Sequence, residues 1–471
     1  MDQTVTVVGA GFAGVEAAWA CASRGVKARL YEMRPHQTTP AHTSAHFAEL
    51  VCSNSLKSKL STSPAGLLKE EMRALGSIVI PTAEEHAVPG GEALAVDREA
   101  FGKAITNKIE RHELIEVIRE EWRPERMAGG ITILATGPLS TDPVSAWLAE
   151  LTGREHLHFY DAVSPTVEAS SLDRSIVFAE SRYGKGEGDD YLNCPFDKTS
   201  YEAFVDALVK AERVPLHAFE AGGARTLSSG RDDCARVEEG EGGGGPGVQT
   251  FLEKVKYFAG CTPIEAIAEA GRDSLRFGNF KPVGLTDPRT GKRPYAALQL
   301  RPENKEKTLY SLVACQNRLR FGEQKRVFHM VPGMENAEFV RYGVIHRNTY
   351  IDAPRVLRPN LELMGQAGLF VAGQLTGVEG YVESAAMGIY AGIQAVASLQ
   401  NKQTTNPPRE TAYGSLLSHL QDQTPKEFAP MNINWGLLPD PEPPIRDKKA
   451  RQTAKLEAAR KAFAEWLSKT D

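Results

Sequence analysis

The chain has 471 residues, which is long enough for two or three domains with substantial buried cores. Its content of 41% hydrophobic and 24% charged residues is that of an ordinary globular protein. The formal net charge of -5 argues against a protein that coats nucleic acid or membrane through its overall field, so a nucleic-acid partner would have to bind at a defined face.

The cysteines and the apolar segments bear on the cellular compartment. The cysteines lack paired metal-ligand spacing, which favours a reducing cytosol over a disulfide framework and predicts no metal site. They are Cys21, Cys52, Cys194, Cys234, Cys261 and Cys315. The N-terminus lacks a basic region followed by an uninterrupted apolar run, and no segment approaches the roughly 18 apolar residues of a membrane span. We therefore expect a cytoplasmic protein that does not enter the membrane.

The stretch from Thr4 to Arg34 predicts a nucleotide-binding unit. A β-branched run stops at Gly9, and Gly9, Gly11 and Gly14 have GxGxxG spacing before an Ala-rich helix predicted over Val15 to Ser23. A second apolar run ends in Glu32, close to the offset of about 20 residues at which an acidic side chain binds an adenosine ribose. A Gly-rich turn alone would be weak evidence. The flanking strand, helix and acid in register favour the nucleotide site.

Cys52 follows a polar segment, in the sequence ELVCSNSLKSKLST. Hydroxyl groups and the cations Lys57 and Lys59 surround it in sequence and would favour its thiolate, so Cys52 is a candidate nucleophile. The alternative is a small buried thiol in a loop. Helices are predicted next over Ser63 to Leu75, with Ser63 as N-cap, and over Asp97 to Arg111.

The sequence GITILATG, Gly130 to Gly137, predicts a buried strand that returns the chain to a position beside the first strand. From Pro138 to about Arg326, longer polar connections and short strands such as Arg174 to Glu180 indicate an inserted substrate domain. Within it, the Gly- and Glu-rich segment 230–248 cannot bury apolar surface, and we predict a flexible loop without chemistry.

Cys261 lies just before a helix predicted to begin near Pro263. A thiol that faces a helix N-terminus has its thiolate stabilised by the helix dipole, which makes Cys261 the stronger candidate nucleophile on physical grounds. The alternative is a thiol that packs behind the turn.

Two polar clusters follow. Basic and aromatic side chains alternate near residue 320, which suits a groove that holds phosphates and stacks bases, although a solvated face is the commoner cause of such runs. These residues are Arg318, Arg320, Phe321, Lys325, Arg326 and Phe328. Further on, the side chains His346, Arg347, Asn348 and Tyr350 could stack and hydrogen-bond a heteroaromatic ligand, or form an ordinary polar strand end.

The C-terminal part contains a second glycine loop. Residues Gly368 to Val396 predict a strand, a glycine loop and a long small-residue helix, whose N-terminus would point at a cofactor. Residues Arg446 to Lys469 predict an amphipathic basic helix, for which we favour covering the core over contacting RNA.

Six blocks of sequence taken together resemble the bacterial family of folate-dependent, FAD-containing tRNA uracil-5-methyltransferases. They are VVGAGFAGVEAAW, EMRP, ELVCSNSLKS, YFAGCTPIE, RYGVIHRNTY and VAGQLTGVEGYVESAAMGIYAG. The related tRNA-modifying flavoprotein of the glucose-inhibited division family shares the fingerprint, but is expected to be longer and to have a different C-terminal domain. The Gly/Glu-rich insertion near 238–246 and the basic tail depart from the family pattern.

The resemblance implies an α/β fold: a Rossmann-like, glutathione-reductase-like FAD-binding domain with an inserted mixed α/β substrate domain. The expected boundaries are 1–140 and 330–435 for the FAD-binding domain, 141–329 for the insert and 436–471 for the C-terminal helix. It also implies transfer of one carbon from 5,10-methylenetetrahydrofolate to C5 of the T-loop uridine of tRNA, with electrons from reduced FAD and regeneration by NAD(P)H. No obligate protein partner is implied.

Carried over by motif, Cys261 would add to uracil C6, and Cys52 would either deprotonate C5 or protect the flavin one-carbon adduct. Folate and substrate contacts would come from His346, Arg347, Asn348, Tyr350 and Lys281. The FAD-binding residues would be Gly9, Ala10, Gly11, Phe12, Ala13, Gly14, Glu32, Arg34, Gly137, Gly373, Gln374, Gly380 and Tyr381.

Three alternatives remain from the sequence. The same chemistry could act on a ribosomal RNA uridine. A flavin-dependent modifier of the tRNA wobble uridine shares the fingerprint. An NAD(P)H oxidase or disulfide reductase is disfavoured, because no CxxC pair accompanies the fingerprint.

Overall fold

The computed structural model describes residues 4–39, 41–127, 129–153, 157–184, 188–214, 262–425 and 428–469, without the side chains of 157–162 and 345–347. The strands are β1 (Thr4–Val8), β2 (Lys27–Tyr31), β3 (Ser55–Ser58), β4 (Ala87–Val88), β5 (Ala93–Val96), β6 (Ile115–Ile118), β7 (Ile131–Leu134), β8 (Leu157–Ala162), β9 (Thr166–Glu168), β10 (Phe178–Ala179), β11 (Leu192–Phe196), β12 (Ala296–Pro302), β13 (Leu309–Leu312), β14 (Phe339–Arg341), β15 (Ile345–Tyr350) and β16 (Leu369–Val371). The helices are α1 (Phe12–Ala22), α2 (Pro64–Ala74), α3 (Val79–Glu85), α4 (Arg98–Glu110), α5 (Asp142–Thr152), α6 (Lys198–Lys210), α7 (Ile264–Glu269), α8 (Ser274–Phe277), α9 (Phe321–Phe328), α10 (Ala353–Val356), α11 (Tyr381–Leu399), α12 (Ala412–Gln421) and α13 (Lys448–Leu467).

The first sheet has the strand order β16-β7-β1-β2-β6, and each neighbouring pair is parallel. The predicted strand in GITILATG is β7, and it lies beside β1 as expected. Buried β-branched residues fill the strands because helices cover the sheet. This arrangement confirms the Rossmann-like α/β class.

A second sheet has the order β10-β11-β12-β13-β9-β14, with antiparallel neighbours. It has its own hydrophobic core, to which α6, α7 and α9 contribute. The predicted strand at 174–180 is reduced to Phe178–Ala179, because Asp173 holds the residues before it in a turn: its side chain accepts from the Ser175 N–H, and its carbonyl from Val177. Strands β8 and β15 pair with each other in a separate two-stranded sheet, and along the chain each lies between a strand of the first sheet and a strand of the second.

The two cores divide the chain somewhat differently from the predicted boundaries at 141 and 329. Val144 and Leu148 on α5 pack into the first core. At the other end, β14 pairs with β9 in the second sheet, although it follows residue 329. We therefore propose that the inserted domain runs from the end of β8 to the end of β14.

The predicted helix starts are largely confirmed. The Ser63 hydroxyl accepts from the Gly66 N–H at the start of α2, and Asp97 caps α4 in the same way. The C-terminal helix α13 buries Phe463 and Trp466 against the first core, and Arg460 pairs with Glu70 on α2 at 2.9 Å. These contacts support the expected role of α13 in covering the core.

None of the helices in the described residues combines the length and apolar character needed to cross a membrane. Within the same ranges, no group of three or more His, Cys, Asp or Glu side chains could hold a metal ion.

Helices α1 and α11 cross at small residues. An ideal Cβ at Gly388 would lie 2.1 Å from the carbonyl oxygen of Ala13, and one at Gly392 would lie 2.8 Å from that of Ala17. Because real Cβ atoms do not approach backbone oxygen so closely, the absence of side chains at these positions sets the distance between the helices.

We predict that Gly388→Ala lowers the free energy of unfolding by about 1–3 kcal/mol, since the added methyl group must push α11 away from α1. Gly322→Ala on α9 is the matched control, because a Cβ there contacts nothing within 4 Å and alanine favours a helix. Denaturant unfolding would measure both. Equal stability of the Gly388→Ala variant and the wild type would contradict the steric argument.

Candidate functional site

A cavity opens at the carboxyl end of the parallel sheet, where the turn after β1, the end of β2 and the loop after β7 meet. This is where open α/β sheets bind ligands. Most of the predicted FAD-binding residues line it: Gly9, Ala10, Gly11, Phe12, Ala13, Glu32, Arg34, Gly137, Gly373, Gln374 and Tyr381.

The glycines of the fingerprint have separate roles. Gly14 does not line the cavity; an ideal Cβ there would lie 1.7 Å from the Gly9 carbonyl oxygen, so Gly14 permits close packing of α1 on the preceding turn. Gly11 is the N-cap of α1 and lines the cavity, and a Cβ on it would contact nothing within 4 Å. The backbone is therefore open to a ligand at Gly11.

The N-terminus of α1 suits an anion. Gly11 offers no side-chain cap, and the first turn of α1 contains no acidic residue. Its N–H groups and partial positive charge are therefore available to a pyrophosphate. Together with the open backbone at Gly11, this chemistry fits the pyrophosphate of a dinucleotide.

Glu32 is the centre of a buried hydrogen-bond network. Its carboxylate accepts from the Ala10 N–H at 3.0 Å and from the backbone, Nε and Nη2 of Arg34 at 2.8–3.0 Å. Burial raises the pKa of Glu32, but the hydrogen bonds and charge of Arg34 outweigh that effect, and the net pKa is below its ordinary value. Because these bonds use the carboxylate's acceptor positions, a ribose hydroxyl would have to share or displace one of them.

Residues without a sequence signal complete this end of the cavity. Arg34 also donates to Glu49 at 2.9 Å, and the Thr39 hydroxyl hydrogen-bonds His42 Nδ1 at 2.6 Å. Burial, and then the charge of Arg34, lower the pKa of His42 to about 4, so its ring is neutral at pH 7. Trp122 and Ser140 also line the cavity. The sequence could not reveal them, because they lie in loops without a motif and meet the cavity only in the folded chain.

The predicted second cofactor loop is also in place. Gly373 lines the cavity with a φ of +75°, and a Cβ there would lie 2.7 Å from the Cβ of Ala13. Gly380 does not line the cavity; it is the N-cap of α11 with a φ of +111°, a conformation that glycine adopts readily. The Nε2 of Gln374 donates to Glu379 at 2.7 Å, which orients the loop.

Cys52 and Tyr381 are brought together from positions far apart in the chain. The Cys52 N–H donates to the Tyr381 hydroxyl oxygen at 2.8 Å, and Cys52 Sγ lies 2.9 Å from the same oxygen. Burial, and then the neighbouring Cys52, raise the pKa of Tyr381 well above its ordinary value, so the phenol keeps its proton. Since Tyr381 lines the cavity, Cys52 is one side chain away from it.

The cations near Cys52 differ from those expected. Lys57 is held 2.5 Å from Glu383 on α11 and also donates to the Glu379 carbonyl. Instead, Arg98 and Arg341 hold the Cys52 loop, donating to the carbonyl oxygens of Leu50 and Val51 respectively. These arginines could not be predicted from the sequence, because α4 and β14 approach the loop only in the folded chain.

The segment with the predicted ligand-stacking residues lies beside the cavity. The Thr349 N–H on β15 donates to the carbonyl of the cavity-lining Pro138 at 2.9 Å. His346 and Arg347 lie on this strand, but their side chains are outside the described residues. Asn348 is buried, and Tyr350 packs in the first core with its hydroxyl donating to the Phe428 carbonyl at 3.2 Å. Tyr350 therefore has a packing role in place of the expected ligand contact.

Of the remaining predicted residues, Lys281 does not line the cavity, and the others are not among the described residues. Lys281 is exposed in the inserted domain. Cys261 and the Gly- and Glu-rich segment lie outside the described residues. The helix predicted after Cys261 is α7, which begins at Ile264.

The expected groove of basic and aromatic residues is largely a paired face. Phe328 is fully buried in the second core, so it is not available to stack a base. Arg326 pairs with Glu323 at 2.6 Å, and Arg318 lies 3.7 Å from Glu265. Phe321 is 41% exposed and stacks on Tyr342, so of the two predicted aromatic residues only Phe321 lies at this surface.

Comparison with known proteins identifies the family. The model of the family described as glucose inhibited division protein A matches residues 4–231 and 247–403. The methylenetetrahydrofolate–tRNA-(uracil-5-)-methyltransferase TrmFO of Desulforamulus reducens is 48% identical over 470 residues, covering 99% of this chain and 98% of the relative. The chain belongs to this methyltransferase family. The TrmFO of Symbiobacterium thermophilum is 50% identical over 466 residues, covering 99% of this chain and 97% of its own length.

Solved structures support the fold of this TrmFO family member. The GidA structure of Aquifex aeolicus in one crystal form superposes with a TM-score of 0.62 at 16% identity, covering 98% of this chain and 73% of that one. A second crystal form gives a TM-score of 0.61. The Rossmann-like flavoprotein fold expected from the fingerprint is confirmed, and the family is one that uses FAD and folate.

We predict that Gly11→Val folds normally but loses bound FAD, with affinity reduced at least about tenfold, because the new side chain occupies space beside the helix N-terminus. Flavin absorbance of the purified protein would measure the loss. Gly130→Val is the matched control: a Cβ there also contacts nothing within 4 Å, and Gly130 does not line the cavity. Normal flavin content in Gly11→Val would contradict the assignment of the phosphate site.

Proposed function

We propose that this chain methylates C5 of the T-loop uridine of tRNA, with 5,10-methylenetetrahydrofolate as the one-carbon donor. FAD, when bound and reduced by NAD(P)H, supplies the electrons that convert the methylene carbon to a methyl group. The observation that carries the proposal is the near-full-length identity of 48% with a methyltransferase of this name. The cavity at the N-terminus of α1, with Cys52 beside the cavity-lining Tyr381, provides matching chemistry.

The chain's own residues would hold FAD in two places. The N–H groups at the start of α1 would bind the pyrophosphate, and Glu32 with Arg34 would hold the adenosine half. The start of α11 and the loop at Gly373 would face the flavin ring with backbone N–H groups. Tyr381 would lie close to the ring, because it lines the cavity and packs on Phe12 with ring centroids 4.8 Å apart.

The folate would lie between the cavity and β15. His346 would stack on the pterin and Arg347 would bind its polar edge or carboxylates, since β15 is hydrogen-bonded to the cavity-lining loop at Pro138. Lys281 on the exposed surface of the inserted domain would contact tRNA phosphate. The target base must leave the T-loop stack before it can react, and the inserted domain would bind the extruded base.

Two thiols would carry the nucleic-acid chemistry. Uracil C5 becomes nucleophilic only after a thiolate adds to C6, and we assign this addition to Cys261. Cys52, held by Tyr381 near the cofactor cavity, would act as the second thiol, on the proton at C5 or on the one-carbon unit. Loss of the C5 proton and elimination of the Cys261 thiolate would then restore the aromatic base.

The wobble-uridine alternative is not favoured, because the GidA structures are 16% identical to this chain whereas the TrmFO relatives are near 48%. The relatives' name also specifies tRNA in place of ribosomal RNA. A cytoplasmic location and independence of a protein partner stay predictions.

We predict that the purified, FAD-containing protein transfers labelled carbon from methylenetetrahydrofolate to an unmodified tRNA transcript in the presence of NADH or NADPH. Nuclease mapping should find 5-methyluridine in the T-loop. A transcript with cytidine at the target position is the control. Label in a ribosomal RNA fragment but not in tRNA would contradict the proposed substrate.

We predict that tRNA with 5-fluorouridine at the target traps a covalent complex, because fluorine cannot leave as a proton does and the C6 adduct cannot eliminate. Cys261→Ala should abolish the covalent complex. Cys52→Ala should lose methyl transfer but still form the covalent complex. Denaturing gel electrophoresis of labelled tRNA would measure both. A complex that survives in Cys261→Ala and disappears in Cys52→Ala would reverse the two assignments.

A further inference from the structure

The loop that carries Cys52 is held by side chains from both domains. On one side, Arg98 of α4 donates through Nη1 to the Leu50 carbonyl, and Arg341 of β14 donates through Nη1 to the Val51 carbonyl at 3.3 Å. On the other side, the buried Asn54 donates through Nδ2 to the Val96 carbonyl at 3.0 Å and to the Pro302 carbonyl at 2.9 Å. The position of Cys52 therefore depends on the inserted domain.

Arg98 and Arg341 belong to a charged group, here called the arginine cluster, which also contains Arg301 and Glu303 on and next to β12. Arg98 lies 2.8 Å from the Glu303 carboxylate. The Nε atoms of Arg301 and Arg341 are buried and have no hydrogen-bond partner among the described residues. The cluster thus contains three guanidinium groups and one carboxylate. This excess of positive charge is costly to bury.

The electrostatic balance points to a missing negative charge. Burial, and then repulsion by Arg98, lower the pKa of Arg341 to about 10. Burial would raise the pKa of Glu303, but the three arginines outweigh it and lower that pKa. Glu303 is therefore already negatively charged, and its single charge does not balance the three guanidinium groups.

The other charged groups around the loop do not supply the anion. Lys57 and Glu383 neutralise each other at 2.5 Å. Tyr381 keeps its proton, as its raised pKa indicates. Tyr191, which also interacts electrostatically with Arg301, has its pKa raised by burial and is likewise protonated. Cys52 interacts electrostatically with Arg98, Arg301 and Arg341, and it is the remaining group in this set that can become negative near neutral pH.

We propose that the arginine cluster holds Cys52 as a thiolate in the resting enzyme, and that Arg341 is a positioning residue through which the inserted domain sets this charge state. The Cys52 proton goes to solvent. The Tyr381 hydroxyl then accepts from the Cys52 N–H and donates its own hydrogen to Sγ, a geometry that the distances of 2.8 and 2.9 Å allow. The inference rests on the proposed role of Cys52 in methyl transfer.

The test is the pH dependence of alkylation of Cys52 by iodoacetamide in the FAD-containing, full-length protein, with the modified peptide quantified by mass spectrometry. Thiolate displaces iodide, so the rate follows the thiolate fraction. The wild type should reach half-maximal rate well below the ordinary thiol value of about 8.5. In Arg341→Gln the midpoint should rise by about one pH unit. At pH values below both midpoints, the alkylation rate of the variant should then be about tenfold lower than that of the wild type.

Arg341→Lys should keep most of the wild-type profile, because it retains the positive charge. Arg272→Gln is the matched control: this arginine is exposed in the inserted domain, pairs with Asp206, and should leave the profile unchanged. If Arg341→Gln loses flavin or unfolds at a lower temperature than the wild type, Arg301→Gln on β12 removes one positive charge from the same cluster and provides the same test. An unchanged midpoint in the folded glutamine variant would overturn the proposal. Because alkylation requires neither folate nor tRNA, that failure is distinct from a failure of the methyltransferase assay.

Discussion

The close approach of α1 and α11 is the constraint on which the site depends. Gly388 lies against the backbone of Ala13, and Gly373 against its side chain, so the two helices meet at a distance that a methyl group would prevent. Their N-termini, at Gly11 and Gly380, are consequently near the same cavity. Two helix dipoles can then act on one bound dinucleotide, the first on its phosphates and the second on its ring.

Buried carboxylates fix the elements around this helix pair. Glu16 on α1 accepts from the N–H groups of Ile78 and Val79 at the start of α3, both at 3.1 Å. Glu71 on α2 accepts from Ala412 and Tyr413 at the start of α12, both at 2.9 Å. Burial raises the pKa of Glu16 to about 7 and of Glu71 to about 8 despite these bonds. Each acid therefore caps a helix other than its own, which ties distant parts of the chain to the nucleotide domain.

The loop that carries Cys52 lies at the junction between the two sheets. The Cys52 loop is hydrogen-bonded to Tyr381 at the start of α11, and to the second sheet through Arg341 on β14 and through Asn54, which donates to the Pro302 carbonyl on β12. A cysteine so placed responds to both the cofactor domain and the inserted domain. This arrangement gives a physical route by which binding of a substrate to the insert could affect a thiol beside the cofactor, since both domains supply charge and hydrogen bonds to the same loop.

The sequence by itself determined what local periodicity and backbone chemistry encode. The GxGxxG turn, the strand in GITILATG, the cap at Ser63, the helix after Asp97 and the loop at Gly373 are confirmed, because glycine spacing and N-cap residues act over a few neighbours. Tertiary structure alone decided which side chains meet. In the folded chain, arginines and not Lys57 hold the Cys52 loop, and Tyr350 and Phe328 are buried in hydrophobic cores. Such pairings depend on packing between elements from about 50 to more than 300 residues apart in the chain, and neither charge counts nor periodicity carries that information.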